Sequence, residues 1–94
     1  MLSFEWDDAK AAANEAKHGV SFLAAARAFG DPHGIDAIDE SMDYGEPRFS
    51  LVAFSGEMLL SVAYAERGEK IRIISARCAT RRERANYDSE NPQI

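Results

Sequence analysis

The sequence predicts a small α+β domain: two N-terminal helices packed on a mainly antiparallel sheet of four to five strands, then a C-terminal helix. Three observations carry this. Helical start and stop signals bracket residues 7–19 and 21–30. Beyond His33 the apolar residues recur at every second position, interrupted by two glycine turns. A T-x-x-E capping box, Thr80 to Glu83, then opens a last helix. The 94 residues make one domain, 1–94, with a core over about 4–88 and a frayed tail at 89–94.

Each element has a local reason. Phe4-Glu5-Trp6 alternates as a brief strand would. Asp7 can cap a helix from Asp8 or Ala9. In that helix Ala9, Ala12, Ala13 and Ala16 recur on one face, which is the expected buried stripe. Lys17, His18 and Gly19 form a stop signal, cations at the carbonyl terminus followed by a residue tolerant of left-handed φ. Ser21 can cap a second helix, Phe22 to Phe29, with Phe22, Ala25, Ala26 and Phe29 inward. Gly30-Asp31-Pro32 ends it. Ile35, Ala37 and Ser41 suggest a weak strand with acidic alternates. Arg48 to Phe54 and Met58 to Ala65 read as a hairpin about Ser55-Gly56-Glu57. Arg67-Gly68-Glu69 turns into Lys70 to Ala76, the most β-prone run of the chain. The last helix reaches about Asp88.

Composition excludes several classes. The chain is 46% hydrophobic and 29% charged, as globular domains are. No apolar run approaches the ~18–20 residues of a membrane span. Glu5, Asp7 and Asp8 stand where a secretory leader would be basic, and Cys78 is the single cysteine. A cytoplasmic protein is expected. The net charge of −5 argues against a generic nucleic-acid binder, but it is an average over two unlike halves. Residues 1–47 carry −7 and residues 48–94 carry +2. Within the second half, 67–84 holds seven basic residues against Glu69 and Glu83, a net of +5. Residues 31–46 hold six acidic residues and no lysine or arginine. Such blocks are expected on different faces, where local potential outweighs net charge.

The chemistry-bearing candidates are few. The two histidines and one cysteine match no zinc spacing, and no glycine-rich phosphate loop is present. Metal ligands and cofactors are therefore not expected. Cys78 has no base beside it in sequence and is expected as a buried small hydrophobe. The arginine cluster is the informative feature: Arg67 at a turn, Arg72 on the next strand, Arg77 at its end, and Arg81, Arg82 and Arg84 opening the last helix. Converging guanidiniums suit phosphate oxygens and a phosphoryl transition state; the bland alternative is a solvated basic face. On the first helix Asp7, Lys10, Asn14, Lys17 and His18 share a face opposite the alanines. That face is either solvent-exposed or borders a cleft with Lys17 or His18 as a proton-transfer or phosphate group. Trp6, Phe22 and Phe29 are expected in the core. Tyr87, one turn after Glu83, either faces the cleft or packs.

Three segments, W-D-x-x-K-x-x-x-N-x-x-K-H-G-V-S-F (Trp6 to Phe22), E-P-R-F (Glu46 to Phe49) and Y-A-E-R-G-E-K-I-R-I-I-S-A-R-C-A-T-R-R-E-R-A-N-Y (Tyr64 to Tyr87), together resemble the BrnT toxins of bacterial type II toxin–antitoxin pairs. The likeness covers about 4 to 88, and the acidic stretch 31–46 is where the chain departs. The resemblance implies a RelE-like fold and a metal-independent endoribonuclease that cleaves RNA, on the ribosome or free, and so inhibits translation. It implies a BrnA-type antitoxin as partner, with operator DNA reached only through that antitoxin. Such enzymes use attack by the ribose 2′-hydroxyl on the adjacent phosphate. Carried onto this chain, Arg67, Arg72 and Arg77 become phosphate and transition-state contacts. Lys17 or His18 becomes the ancillary proton-transfer group, with Glu83 in support. Arg81, Arg82, Arg84 and Tyr87 become RNA contacts. The alternative is a decayed, non-catalytic toxin fold that only binds the antitoxin and modulates operon repression. The acidic 31–46 segment would either repel RNA from the wrong face or meet a basic antitoxin segment.

Overall fold

The structure, a computed structural model, describes residues 2–40 and 45–92. The order is β1 (Ser3–Glu5), α1 (Asp8–His18), α2 (Phe22–Ala28), β2 (Ile35–Asp39), β3 (Arg48–Ser55), β4 (Met58–Arg67), β5 (Lys70–Cys78) and α3 (Arg81–Glu90). The strands form one sheet in the order β1-β5-β4-β3-β2. β1 runs parallel to β5 and the other neighbours pair antiparallel, so the sheet is mixed. Ser41, the far end of the expected weak strand, lies outside the described residues.

The caps form as the sequence predicts. Asp7 accepts the Lys10 N–H and Gly19 closes α1 at φ 71°. Ser21 accepts the Ala24 N–H, and Thr80 and Glu83 form the reciprocal capping box. Each long hairpin turns through two residues, Gly56-Glu57 and Gly68-Glu69, because Ser55 pairs with Met58 and Arg67 with Lys70. Both glycines have φ near +60°, while among the described residues no other residue type has positive φ. That combination fits a type II′ turn, whose twist matches the flanking strands. The last helix extends past Asp88 to Glu90, and the Asn91 side chain donates to the Tyr87 carbonyl at 2.9 Å.

α1 and α2 cover one face of the sheet. Val20, Phe22, Ala25 and Ala28 pack there on Leu51, Ala53, Leu60, Val62, Tyr64, Ile73 and Ala76. Trp6 and Phe29 join from the rim as expected, Trp6 edge-on to Phe22 and Phe29 edge-on to Tyr64. Burial on this scale is the main stabilising term, about 25 cal/mol for each Å² of apolar surface removed from water.

The expected stripe on α1 is not the buried one. Ala9, Ala12, Ala13 and Ala16 are exposed, whereas Asn14 is buried on the face assigned to polar groups. β1 pairs with β5 only at residues 70–72, so the β5 edge beyond them needs another partner. Asn14 supplies it: its amide accepts the Ala76 N–H at 3.1 Å and donates to the Ala76 carbonyl at 2.8 Å and the Val20 carbonyl at 3.0 Å. A side-chain amide thereby stands in for a missing strand, and α1 turns that face inward to provide it. Cys78 also departs from expectation. It sits exposed at the end of β5 and not in the core.

The β4–β5 pairing carries a bulge. The β4–β5 register passes from Ala63↔Ser75 to Tyr64↔Ile73, leaving Ile74 as an extra residue. In a regular strand Arg72 and Arg77, five apart, would point to opposite faces. The bulge resets the alternation. Ile73 and Ala76 both enter the core under the helices, so Arg72, opposite Ala65, and Arg77, opposite Ser61, share the other face.

Candidate functional site

The antiparallel meander brings the start of β3, the end of β4 and the start of β5 to one end of the sheet, and each contributes an arginine there. Arg48, Arg67 and Arg72, with Lys10 from the first turn of α1, line a cavity of about 130 Å³ that also touches Asp7, Glu46, Ile73 and Ile74. The carboxylates keep these cations in place. Arg67 presents Nε and Nη2 to the two oxygens of Glu46, each at 3.1 Å. Arg72 Nη1 reaches Glu5 at 2.9 Å. The Arg67 fork holds the Glu46 carboxyl below its ordinary range, and the carboxylate in turn raises the guanidinium. Asp7 is also lowered, chiefly by accepting the Lys10 backbone N–H. A guanidinium fork that fits a carboxylate also fits two phosphate oxygens, so these pairs show the donors already aimed.

A second cavity, about 260 Å³, continues the first. It is lined by Lys10, Ala13, Asn14, Lys17, His18, Ile74 and Ser75. Lys10 and the bulged Ile74 belong to both, so the two form one groove between α1 and the β5 edge where β1 has stopped. Lys10 and Lys17, seven residues apart, lie on one face of α1 and mark the two ends of its run along the groove. Of the expected site residues, the structure thus gathers Arg67, Arg72, Lys17 and His18 along one feature.

The rest of the expected set lies elsewhere. Arg77 is roughly 16 Å from Arg72 along the strand at about 3.3 Å per residue. It donates from Nη1 and Nη2 to the two oxygens of Glu83 at 2.8 and 3.2 Å, and from Nη1 to the Cys78 carbonyl at 3.2 Å. Burial would raise the Glu83 carboxyl, but the Arg77 fork, the Thr80 N–H and Ser61 overcome it and bring the pKa to about 2. This pair ties the start of α3 to the end of β5. Arg81, Arg82 and Arg84 are exposed on the first turn and a half of α3, with the Arg84 guanidinium 5.9 Å from the Phe54 ring centre. Tyr87 packs. It is 7% exposed, lies edge-on to Phe54, and donates its hydroxyl to Asp31 at 2.7 Å. Burial first and Asp31 second push its phenol up to about 12.

The Glu83 geometry makes a pH prediction. A carboxyl held at about 2 against an ordinary 4.5 contributes stability that is fully present above pH 4.5 and lost as pH falls toward 2. Glu83→Gln keeps the capping box but removes this term. We expect it to cost about 1 kcal/mol at neutral pH, less than the bare shift implies because solvent screens the half-exposed Arg77. Urea unfolding at pH 7 and pH 3 checks it: the difference between wild type and variant should shrink at the lower pH. An equal difference at both pH values would assign the loss to packing.

Two groove residues carried no role in the sequence reading. Lys10 was visible through its seven-residue spacing from Lys17. Arg48 was visible as the first residue of a strand whose start must lie beside the end of β4, Phe49 pairing with Tyr64. Among the described residues no group of three or more His, Cys, Asp or Glu side chains could hold a metal ion, and no helix is long and apolar enough to cross a membrane.

Residues 6–83 match the model of a protein family described as the ribonuclease toxin, BrnT, of type II toxin–antitoxin systems. A search of curated proteins returned no match.

Proposed function

Because the chain belongs to the BrnT family of ribonuclease toxins from type II toxin–antitoxin systems, we propose that it cleaves RNA in the groove between α1 and the β5 edge. The observation that carries this reading is the convergence of Lys10, Arg48, Arg67 and Arg72 on one cavity from four different elements. In the free protein Glu46 and Glu5 offset the repulsion among these cations, and an RNA phosphate can take the place of those carboxylates.

The chemistry follows from what these residues can do. The ribose 2′-hydroxyl attacks the neighbouring phosphorus, the P–O5′ bond breaks, and the products are a 2′,3′-cyclic phosphate and a 5′-hydroxyl. The 2′-hydroxyl proton must leave and the 5′-oxygen must gain one. Arg67 and Arg72 exchange Glu46 and Glu5 for the non-bridging phosphate oxygens and stabilise the charge that grows on them in the transition state. Lys10 and Arg48 hold the same phosphate electrostatically. Lys17 and His18, at the far end of the groove, serve proton transfer or position the adjoining nucleotide. Arg77 and Glu83 act on α3, whose Arg81, Arg82 and Arg84 give RNA a second basic surface. The partner that restrains the activity is a BrnA-type antitoxin, through which the complex meets operator DNA.

The test uses purified, antitoxin-free protein and single-stranded RNA with a chelator present. Fragments with 2′,3′-cyclic phosphate and 5′-hydroxyl ends are expected. Folded protein that binds the antitoxin but leaves RNA intact, free or on ribosomes, would favour the non-catalytic module.

A further inference from the structure

We propose that the outer edge of β2 takes up an extended, basic segment of the antitoxin as a sixth strand of the sheet. The identity of the partner rests on the toxin–antitoxin reading above; the surface itself rests on the following geometry.

β2 ends the sheet, so along Ile35–Asp39 alternate backbone N–H and C=O groups point away from β3. The opposite margin is not equivalent: β1 is three residues long, and beyond it Asn14 occupies Ala76 on β5. Proteins usually blunt an open edge with lysine, proline or a bulge. β2 has no lysine, proline or bulge; the charges it does carry, Asp36 and Asp39, are acidic, which discourages a like edge but admits a basic segment. Its register with β3 is regular over all five pairs, and it carries Ile38 with 63% of its surface exposed, the most exposed large apolar side chain among the described residues. Such an edge is suited to strand addition, in which the main chain gives affinity and alternate side chains give selectivity.

Charge selects the occupant. Asp36, Asp39 and Glu40 flank Ile38, and the sequence has no lysine or arginine between Arg27 and Arg48. A second copy of this chain, paired antiparallel with Ile38 against Ile38, would set Asp36 opposite Glu40, which is unfavourable. Asp39 points to the opposite face from Ile38. A segment of alternating basic and apolar residues therefore meets Asp39 with a cation on one face and Ile38 with an apolar side chain on the other. Asp36 is engaged by the Tyr64 hydroxyl, and Glu40, just past the strand, draws a further cation. The edge is separated from β5 by two strands but borders the basic end of the groove, because Asp39 pairs with Arg48. An added strand would lie beside the RNA site without using its residues.

The experiment measures binding of a cognate BrnA-type antitoxin to wild type, Ile38→Lys, Glu40→Lys and, as a matched charge change on the β3–β4 turn, Glu57→Lys. Tenfold or greater loss of affinity is expected for Ile38→Lys and a clear loss for Glu40→Lys, with Glu57→Lys unchanged. Hydrogen exchange of the complex should show protection over 35–39. RNA cleavage by the free variants should equal that of wild type. Ile38→Lys binding within twofold of wild type, or protection that spares β2, would overturn the proposal. So would a dimer of this chain alone that Ile38→Lys dissociates, which would make the edge a self-association surface. If wild type cleaves no RNA yet loses the antitoxin through Ile38→Lys, the ribonuclease reading fails and this one stands.

Discussion

Arg72→Ala should lower kcat/KM for RNA cleavage by about 10²–10³-fold, the usual cost of removing one pre-aimed donor from a developing oxyanion. Arg72 is less exposed than Arg67, with 29% of its side chain accessible against 49%. Its neighbour Glu5 is its register partner on β1, so the guanidinium is steadied by a strand pairing as well as by the 2.9 Å ion pair. Arg67, with about half of its side chain exposed, keeps more freedom, and Arg67→Ala should cost nearer tenfold. Arg72→Lys should recover little, because a lysine cannot present two parallel donors. Glu5→Gln separates the roles: it releases Arg72 without removing it, so RNA affinity should hold or rise. Single-turnover cleavage on the four variants checks the set. Equal losses in Arg72→Ala and Glu5→Gln would mean that the pair matters only for holding β1.

Asn14→Ala should destabilise the fold by about 2–4 kcal/mol, since it leaves the Ala76 N–H and the Ala76 and Val20 carbonyls without their partner at a largely buried position on the groove wall. Asn14→Asp should fare no better, because it keeps the acceptor, loses both donated bonds and adds a charge to a residue 8% exposed. Urea unfolding with an unchanged m-value is the measurement. A loss below about 0.5 kcal/mol would show that water replaces the amide. The same contact matters to the site, since Asn14 sets α1 against β5 and so fixes where Lys10 and Lys17 meet the groove.

Most of the secondary structure was legible because its signals are local. Asp7, Ser21, Thr80 and Glu83 announce helix starts by chemistry that operates within three residues, and the two Gly-Glu turns demand positive φ at one position. What remained hidden needed a partner far away in sequence. The alanines of α1 look like a packing stripe, yet the face was decided by an unpaired strand edge 62 residues later, which Asn14 satisfies. The site divided in the same way. The cluster from Arg67 to Arg84 reads as one block along the chain, but a strand about 16 Å long between Arg72 and Arg77 splits it, at about 3.3 Å per residue. The bulge at Ile74, which places both arginines on one face, has no residue signal of its own. Cys78 misled for a related reason: at a strand end, outside the helix cover, even an apolar residue stays in water.

The most direct test of the groove as the RNA site is the backbone amide NMR spectrum of the protein titrated with an RNA whose 2′-hydroxyl is removed at the cleavage position. Binding without cleavage should shift the amides of Lys10, Lys17, Arg48, Arg67 and Arg72, with smaller shifts at the first turn of α3. Shifts confined to Arg81, Arg82 and Arg84, with the groove amides unmoved, would contradict the assignment and move the RNA site to α3.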